Sequence, residues 1–122
     1  MPWIVRFEDE FEREFSNLRT GVQDQLLAAA RILAEYGPRL GRPYVDTLKG
    51  SKHANMKELR FDAADGVWRV AFAFDPRRQG ILLVAGDKSG VKQRQFYARL
   101  IATADKRFAA HLTHLKESSA KG

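Results

Sequence analysis

The sequence predicts an α+β fold in the order β-α-α-β-β-β-α, and three observations predict it. Apolar side chains recur at helical spacing between residues 7 and 33. They alternate, or run without interruption as in strands, between residues 56 and 85. From Tyr97 onward the helical spacing returns. At 122 residues the chain is expected to form one domain, residues 1–122, around a single core.

Trp3 to Phe7 reads as a short first strand that runs into Glu8, Asp9 and Glu10, acidic residues suited to the positive end of a helix. Phe7, Phe11, Phe15 and Leu18 then form an aromatic stripe at spacings of four, four and three. Thr20, followed three residues later by Gln23, has the form of a capping box, which opens a second helix carrying Val22, Leu26, Ala29, Ala30 and Leu33. Gly37-Pro38 ends it. The two helices are expected to form an antiparallel hairpin over one side of an antiparallel sheet.

Periodicity fails from Pro38 to Asn55, where Gly41, Pro43 and Gly50 break the chain and Arg39, Arg42, Lys49 and Lys52 add positive charge. This stretch reads as an ordered loop. Met56 to Phe61 and Val67 to Phe74 read as a hairpin through the turn formers of Asp62 to Gly66. Ile81 to Ala85, continuously apolar, reads as an interior strand. A final helix is expected to begin between Lys92 and Gln95, with Tyr97, Ile101, Ala104, Phe108, Leu112 and Leu115 as its stripe. The polar residues 116–122 are expected to fray.

In the second hairpin strand Trp68, Val70, Phe72 and Phe74 share one face, so Arg69 shares the other with Ala71 and Ala73. Pairing Phe61 with Trp68 sets Arg60 directly opposite Arg69. Like charges so placed repel, so either Glu58, one diagonal step away, neutralises them or the pair serves an anionic partner. This face is expected to be polar and exposed. The core assigned to the other face comprises Leu59, Phe61, Trp68, Phe72 and Phe74.

The net charge of +6 is unevenly spread. Residues 1–37 hold four basic and seven acidic side chains and the remainder seventeen and eight, so the halves carry −3 and +9. Such a field favours a phosphate-bearing partner. The absence of cysteine excludes disulfides, thiol nucleophiles and cysteine metal sites. His53, His111 and His114 do not form a ligand set, so neither a metal nor a cofactor is expected. No apolar run is long enough to span a membrane, and the first residues lack a signal peptide's features, so a cytoplasmic protein is expected.

The order of elements, with Leu48-Lys49-Gly50 leading to Lys57-Glu58-Leu59-Arg60-Phe61, then Val67-Trp68-Arg69-Val70, then Leu82 to Gly90 before an amphipathic helix, resembles the RelE/ParE superfamily of type II toxin–antitoxin toxins. Within it the phage-derived, HigB-like branch is the most similar. The resemblance covers nearly the whole chain. It implies a small RelE-like fold, a cognate helix-turn-helix antitoxin and ribosome-dependent cleavage of mRNA by an endoribonuclease. ParE-type relatives on the same fold inhibit DNA gyrase without cutting, and a phage-derived accessory protein without activity is a further alternative.

Cleavage of this kind uses the 2′-hydroxyl as nucleophile, so the site must accept a proton, donate another to the leaving 5′-oxygen and stabilise negative charge. By the resemblance, Arg69 is the transition-state clamp, Arg60 the basic residue of the preceding strand and Lys88 the basic residue after the third. Tyr97 is the aromatic residue of the C-terminal segment, placed to stack on a base, to donate a proton or to pack in the core. Glu58 is a general base or a neutralising charge. Lys92 and Arg94 are alternatives for the role of Lys88 and, with Lys49, Lys52, Lys57 and His53, are candidates for RNA binding. His53 is either an acid–base group or an exposed histidine without chemistry.

Overall fold

The computed structural model describes residues 2–121. β1 (Ile4–Phe7) leads into α1 (Asp9–Ser16) and α2 (Thr20–Tyr36), followed by a 3-10 turn at Gly37–Arg39. Then come β2 (Val45–Thr47), β3 (Lys57–Ala63), β4 (Gly66–Phe74), β5 (Gln79–Asp87) and α3 (Gln93–Lys121). The α+β class and the order of the main elements are as the sequence predicts.

Several details differ. Thr20 does not cap α2: Arg19 stands at the N-cap with no side-chain bond. Gln23 instead donates through Nε2 to the carbonyls of Phe15 and Ser16 at 2.8 and 3.4 Å. The turn between the helices is so short that the last carbonyls of α1 compete for the same amide. The stretch read as a loop contains β2, three residues long and below the length at which alternation is legible. The residues expected to fray continue α3 to Lys121, with Arg77 Nη2 donating to Ser119 Oγ at 3.4 Å; Gly122 lies outside the described residues.

The sheet order is β1-β5-β4-β3-β2. The β2–β3, β3–β4 and β4–β5 pairs are antiparallel, but β1 pairs parallel with β5, which makes the sheet mixed. The α1–α2 hairpin between β1 and the meander supplies the crossover that a parallel pair requires. β3 and β4 join through Ala64 and Asp65, both with positive φ, as a two-residue hairpin turn demands. The register Arg60↔Arg69 and Phe61↔Trp68 is as expected.

Each face of the sheet is covered. Phe11, Leu26, Ala29 and Leu33 of the first two helices pack on Leu59, Val70, Phe72 and Leu82. On the other face Phe96, Leu100, Ala104 and Phe108 of α3 pack on Ala71, Ala73, Ile81 and Leu83. The face expected to be exposed is therefore a second core, built on small strand residues that let the helix approach. Opposite Ala71 and Phe72, β5 carries an extra residue. This bulge lets Leu83 and Val84 both serve the α3 side.

Arg107 ties α3 to α1. It donates to the two carboxylate oxygens of Glu14 at 2.8 and 2.6 Å and to the Leu83 carbonyl at 2.8 Å. At the far end, Asp75 accepts the amides of Arg77 and Gln79 and meets His111 Nε2 at 2.8 Å, which fastens the β4–β5 turn to α3.

Two stability predictions follow from this packing. A Cβ on Gly86 would lie 2.8 Å from Cε1 of the buried Phe96 ring. Gly86→Ala should therefore lower stability by about 1–3 kcal/mol in urea unfolding. The hydrogen bonds from Arg107 hold the Glu14 carboxyl below the usual glutamate range. A depressed folded value adds stability that is complete above the unfolded pKa, about 4.3, and is lost as pH falls through the folded one. Glu14→Gln should cost under about 1 kcal/mol at neutral pH, because the Glu14 side chain is half exposed. The difference from wild type should close progressively as pH falls below the unfolded value in parallel urea titrations.

Candidate functional site

Residues paired across a sheet share a face. Two neighbouring rows on the α3 face carry the polar groups: Asp46, Glu58, Ala71 and Val84 in one, and Arg60, Arg69 and Gly86 in the other. Toward β5 both rows are apolar or glycine and lie under α3. Toward the β2 edge they are charged, and there α3 begins and the face opens.

The opening is a cleft of about 630 Å³ lined by Arg42, Asp46, Thr47, Leu48, Lys49, Glu58, Arg60, Lys88, Gln93 and Tyr97. Glu58 sits at its base with a side chain only 6% exposed. Its Oε1 accepts a hydrogen bond from the Tyr97 hydroxyl at 2.7 Å and lies 3.5 Å from Arg69 Nε. Its Oε2 is 3.9 Å from Arg60 Nε. A carboxylate this deep needs such counter-charges. Burial, reinforced by the hydrogen bond to Glu58, raises the Tyr97 phenol above its usual value. Tyr97 is therefore a hydrogen-bond donor throughout the neutral range.

Lys88 is held by the strand ends. Its amide donates to the Val67 carbonyl at 2.9 Å. Asp87 Oδ1 accepts the amides of Val67 and Ser89 at 3.0 and 2.9 Å. Desolvation alone would raise the Asp87 carboxyl, but the bonds from Ser89 and Val67 outweigh it and leave it lowered. Asp87, beside the single lysine, thus serves as the clamp that shapes this loop. On the opposite rim Arg42 donates to Asp46 Oδ2 through Nε and Nη2 at 3.1 and 2.7 Å, and the Thr47 amide donates to Oδ1 at 2.9 Å. Those bonds, Arg42 first, hold the Asp46 carboxyl low.

The structure brings together Glu58, Arg60, Lys88, Tyr97 and Lys49 around the cleft. Arg69 contacts Glu58 but is 8% exposed and is not among the lining residues, so the expectation of an outward-facing guanidinium is not met. The reason is the second core: α3 covers the central strand on which Arg69 lies. Lys57 alternates with Glu58 and points to the other side of the sheet, with Leu59. Lys52 is exposed, its amide bonded to Asp105, and His53 packs edge-on against Phe108 at 4.9 Å; neither lines the cleft. Lys92 and Arg94 are exposed at the start of α3 outside it, whereas Gln93 between them lines it.

Asp46, Thr47, Leu48 and Gln93 were not legible as site residues, and Arg42 was read only as loop charge. The one available signal was the opposite charge at Arg42 and Asp46, four residues apart, which outside a helix carries no fixed geometry. Among the described residues no group of three or more histidine or carboxylate side chains is arranged to hold a metal ion. No helix of the described residues is long and apolar enough to cross a membrane.

The sequence profile described as phage-derived protein Gp49-like matches residues 13–109. The chain belongs to this Gp49-like family. Two relatives of the Gp49-like chain come from Mycobacterium tuberculosis and bear the names toxin HigB2 and toxin HigB3. The first is 46% identical over 97 residues, covering 79% of this chain and 48% of the relative. The second is 43% identical over 98 residues, covering 80% and 83%. The chain therefore spans about half the length of HigB2 and most of HigB3. In fold it is similar to an arginine-substituted mutant of the E. coli toxin RelE in the free state. The TM-score is 0.63 at 15% identity, over 88% of this chain and 98% of that one. The Gp49-like chain thus has the RelE fold, and its resemblance in sequence to HigB-like proteins is established.

The buried Tyr97–Glu58 bond has a direct signature. Tyr97→Phe should remove the highest-pH step of phenolate absorbance in an alkaline titration. It should also cost about 0.5–1.5 kcal/mol in urea unfolding, the net worth of one hydrogen bond.

Proposed function

We propose that this protein is the toxin of a type II toxin–antitoxin module and cleaves mRNA on the ribosome. The observation that carries the reading is the cleft itself, where four cations surround one buried carboxylate. Arg42, Arg60, Lys49 and Lys88 suit an RNA backbone, since guanidinium forks onto phosphate oxygens and ammonium supplies a compact charge. The Arg60 side chain is 30% exposed and lines the cleft, so its guanidinium can meet a phosphate oxygen there.

Within the cleft, Glu58 Oε2 accepts the proton of the 2′-hydroxyl as the O2′–phosphorus bond forms. Arg60 stabilises the charge that develops on the phosphoryl oxygens. The phosphorus–O5′ bond breaks, and Lys88 transfers a proton to the departing 5′-oxygen. The fragments end in a 2′,3′-cyclic phosphate and a 5′-hydroxyl, so no water is consumed in this step. Tyr97 acts by holding Glu58 through its other oxygen. The antitoxin is of the helix-turn-helix type, and its complex with the toxin keeps the cell growing. The names and fold of the relatives support this reading, as does the excess of positive charge in the strand-bearing part of the chain.

Inducible expression followed by mapping of RNA ends tests it. Wild type should arrest growth and produce new mRNA ends bearing 5′-hydroxyls. Glu58→Gln should reduce their formation ~10²- to 10⁴-fold, the usual worth of a positioned base. Arrest without new RNA ends, accompanied by a DNA damage response, would replace this reading with gyrase inhibition.

A further inference from the structure

Arg69 differs from the other cations of the site in where its charge is directed. Arg42, Arg60, Lys49 and Lys88 reach the cleft, but Arg69 does not. Its Nη1 donates to the carbonyl of its own neighbour Trp68 at 2.9 Å, and its Nε lies 3.5 Å from Glu58 Oε1. The sheet imposes this. Arg69 lies on the central strand, in the row that continues to Gly86, and the Phe96 ring of α3 lies against Gly86. Glu58 and Tyr97, both of which line the cleft, form the layer between Arg69 and anything bound there.

The two oxygens of Glu58 have separate duties. Oε1 accepts the Tyr97 hydroxyl at 2.7 Å and stands in ionic contact with the Arg69 guanidinium at 3.5 Å, a charge contact without a hydrogen bond, whereas Oε2 faces Arg60 at 3.9 Å. A carboxylate buried without a counter-ion would turn toward water or lose its charge. One fixed through a single oxygen presents the other in a constant direction, which is what a proton acceptor needs. We propose that Arg69 is a positioning residue: it does not touch the RNA, and it acts by holding Glu58 so that Oε2 faces the 2′-hydroxyl. This role rests on the ribonuclease reading above and departs from the clamp that the family resemblance implies for the same arginine.

A double-mutant cycle separates the two roles. Cleavage of mRNA on programmed ribosomes is followed under single-turnover conditions over a range of ribosome concentrations. Arg69→Met should slow the saturated rate ~10- to 10²-fold and leave the half-saturating concentration within about 3-fold of wild type, because it alters orientation and not binding. Arg60→Met, by contrast, should raise the half-saturating concentration. The double variant Glu58→Gln/Arg69→Met should cleave at the rate of Glu58→Gln alone, within about 3-fold, since Arg69 has nothing left to position. It also removes both buried charges together, so the comparison of these two variants decides the matter if Arg69→Met by itself does not fold. A further loss of ~10-fold or more in the double variant, or a raised half-saturating concentration in Arg69→Met, overturns the proposal and restores a direct contact with RNA. Wild type that leaves ribosome-bound mRNA intact overturns the ribonuclease reading and this role with it. Cleavage with an additive cycle overturns this role alone.

Discussion

The site depends on one constraint: a carboxylate, Glu58, lies on a sheet face that a long helix covers. Its side chain retains only 6% of its exposure, so the surroundings must supply what water would have supplied. They do so with two guanidinium groups and a phenol, from β3, β4 and α3 respectively. The cost of leaving such a group unpaired keeps these three elements in register with one another. The Arg60–Arg69 opposition, unfavourable by itself, becomes acceptable because the carboxylate sits between the two like charges.

The same covering explains where the site opens. α3 can lie close to the sheet only where β4 and β5 present alanine, glycine and apolar side chains. It passes over Gly86, Ala71 and Ala73 and leaves the β2 edge uncovered. Polar groups on the central strand are therefore enclosed and serve as internal supports, whereas those nearer the edge meet solvent and any ligand. The loop after β5 is held by Asp87 on the Val67 amide, which fixes Lys88 at the mouth of this opening. Farther along α3, Arg107 and the Asp75–His111 pair fasten the helix, while its first turn is held by Phe96 against Gly86 and by the Tyr97–Glu58 bond.

Much of this was legible from side-chain pattern. The alternation in Val67 to Phe74 and the turn at Asp62 to Gly66 were enough to place Arg60 opposite Arg69 and Glu58 beside them, because hairpin register follows from a turn and two apolar faces. The stripe from Tyr97 marked α3, although the buried line runs through Phe96 and Leu100, with Tyr97 and Ile101 only partly buried beside it. What failed was the assumption that alanines beside an arginine mark an exposed face. Ala71 and Ala73 are completely buried, and small side chains accommodate a close helix as readily as they face water. β2 escaped notice because Val45, Asp46 and Thr47 are too few to show a period. With it went the Arg42 and Asp46 rim of the cleft.

The amino-acid sequence alone determined the class of fold, the order of the main elements, the pairing of the central hairpin and the identity of most of the charged groups at the site. These are set by interactions between near neighbours or between two adjoining strands, and the period of the apolar residues records them. The tertiary structure alone decided which of those charges lines the cleft. That choice depends on where α3 crosses the sheet, and the crossing is fixed by packing over Gly86 and by anchors at Arg107 and His111, contacts between residues far apart in the chain that leave no periodic trace. For this reason Arg60 and Arg69, which the sequence pattern places on one exposed face, differ in the folded protein: one reaches the cleft and the other supports it from beneath.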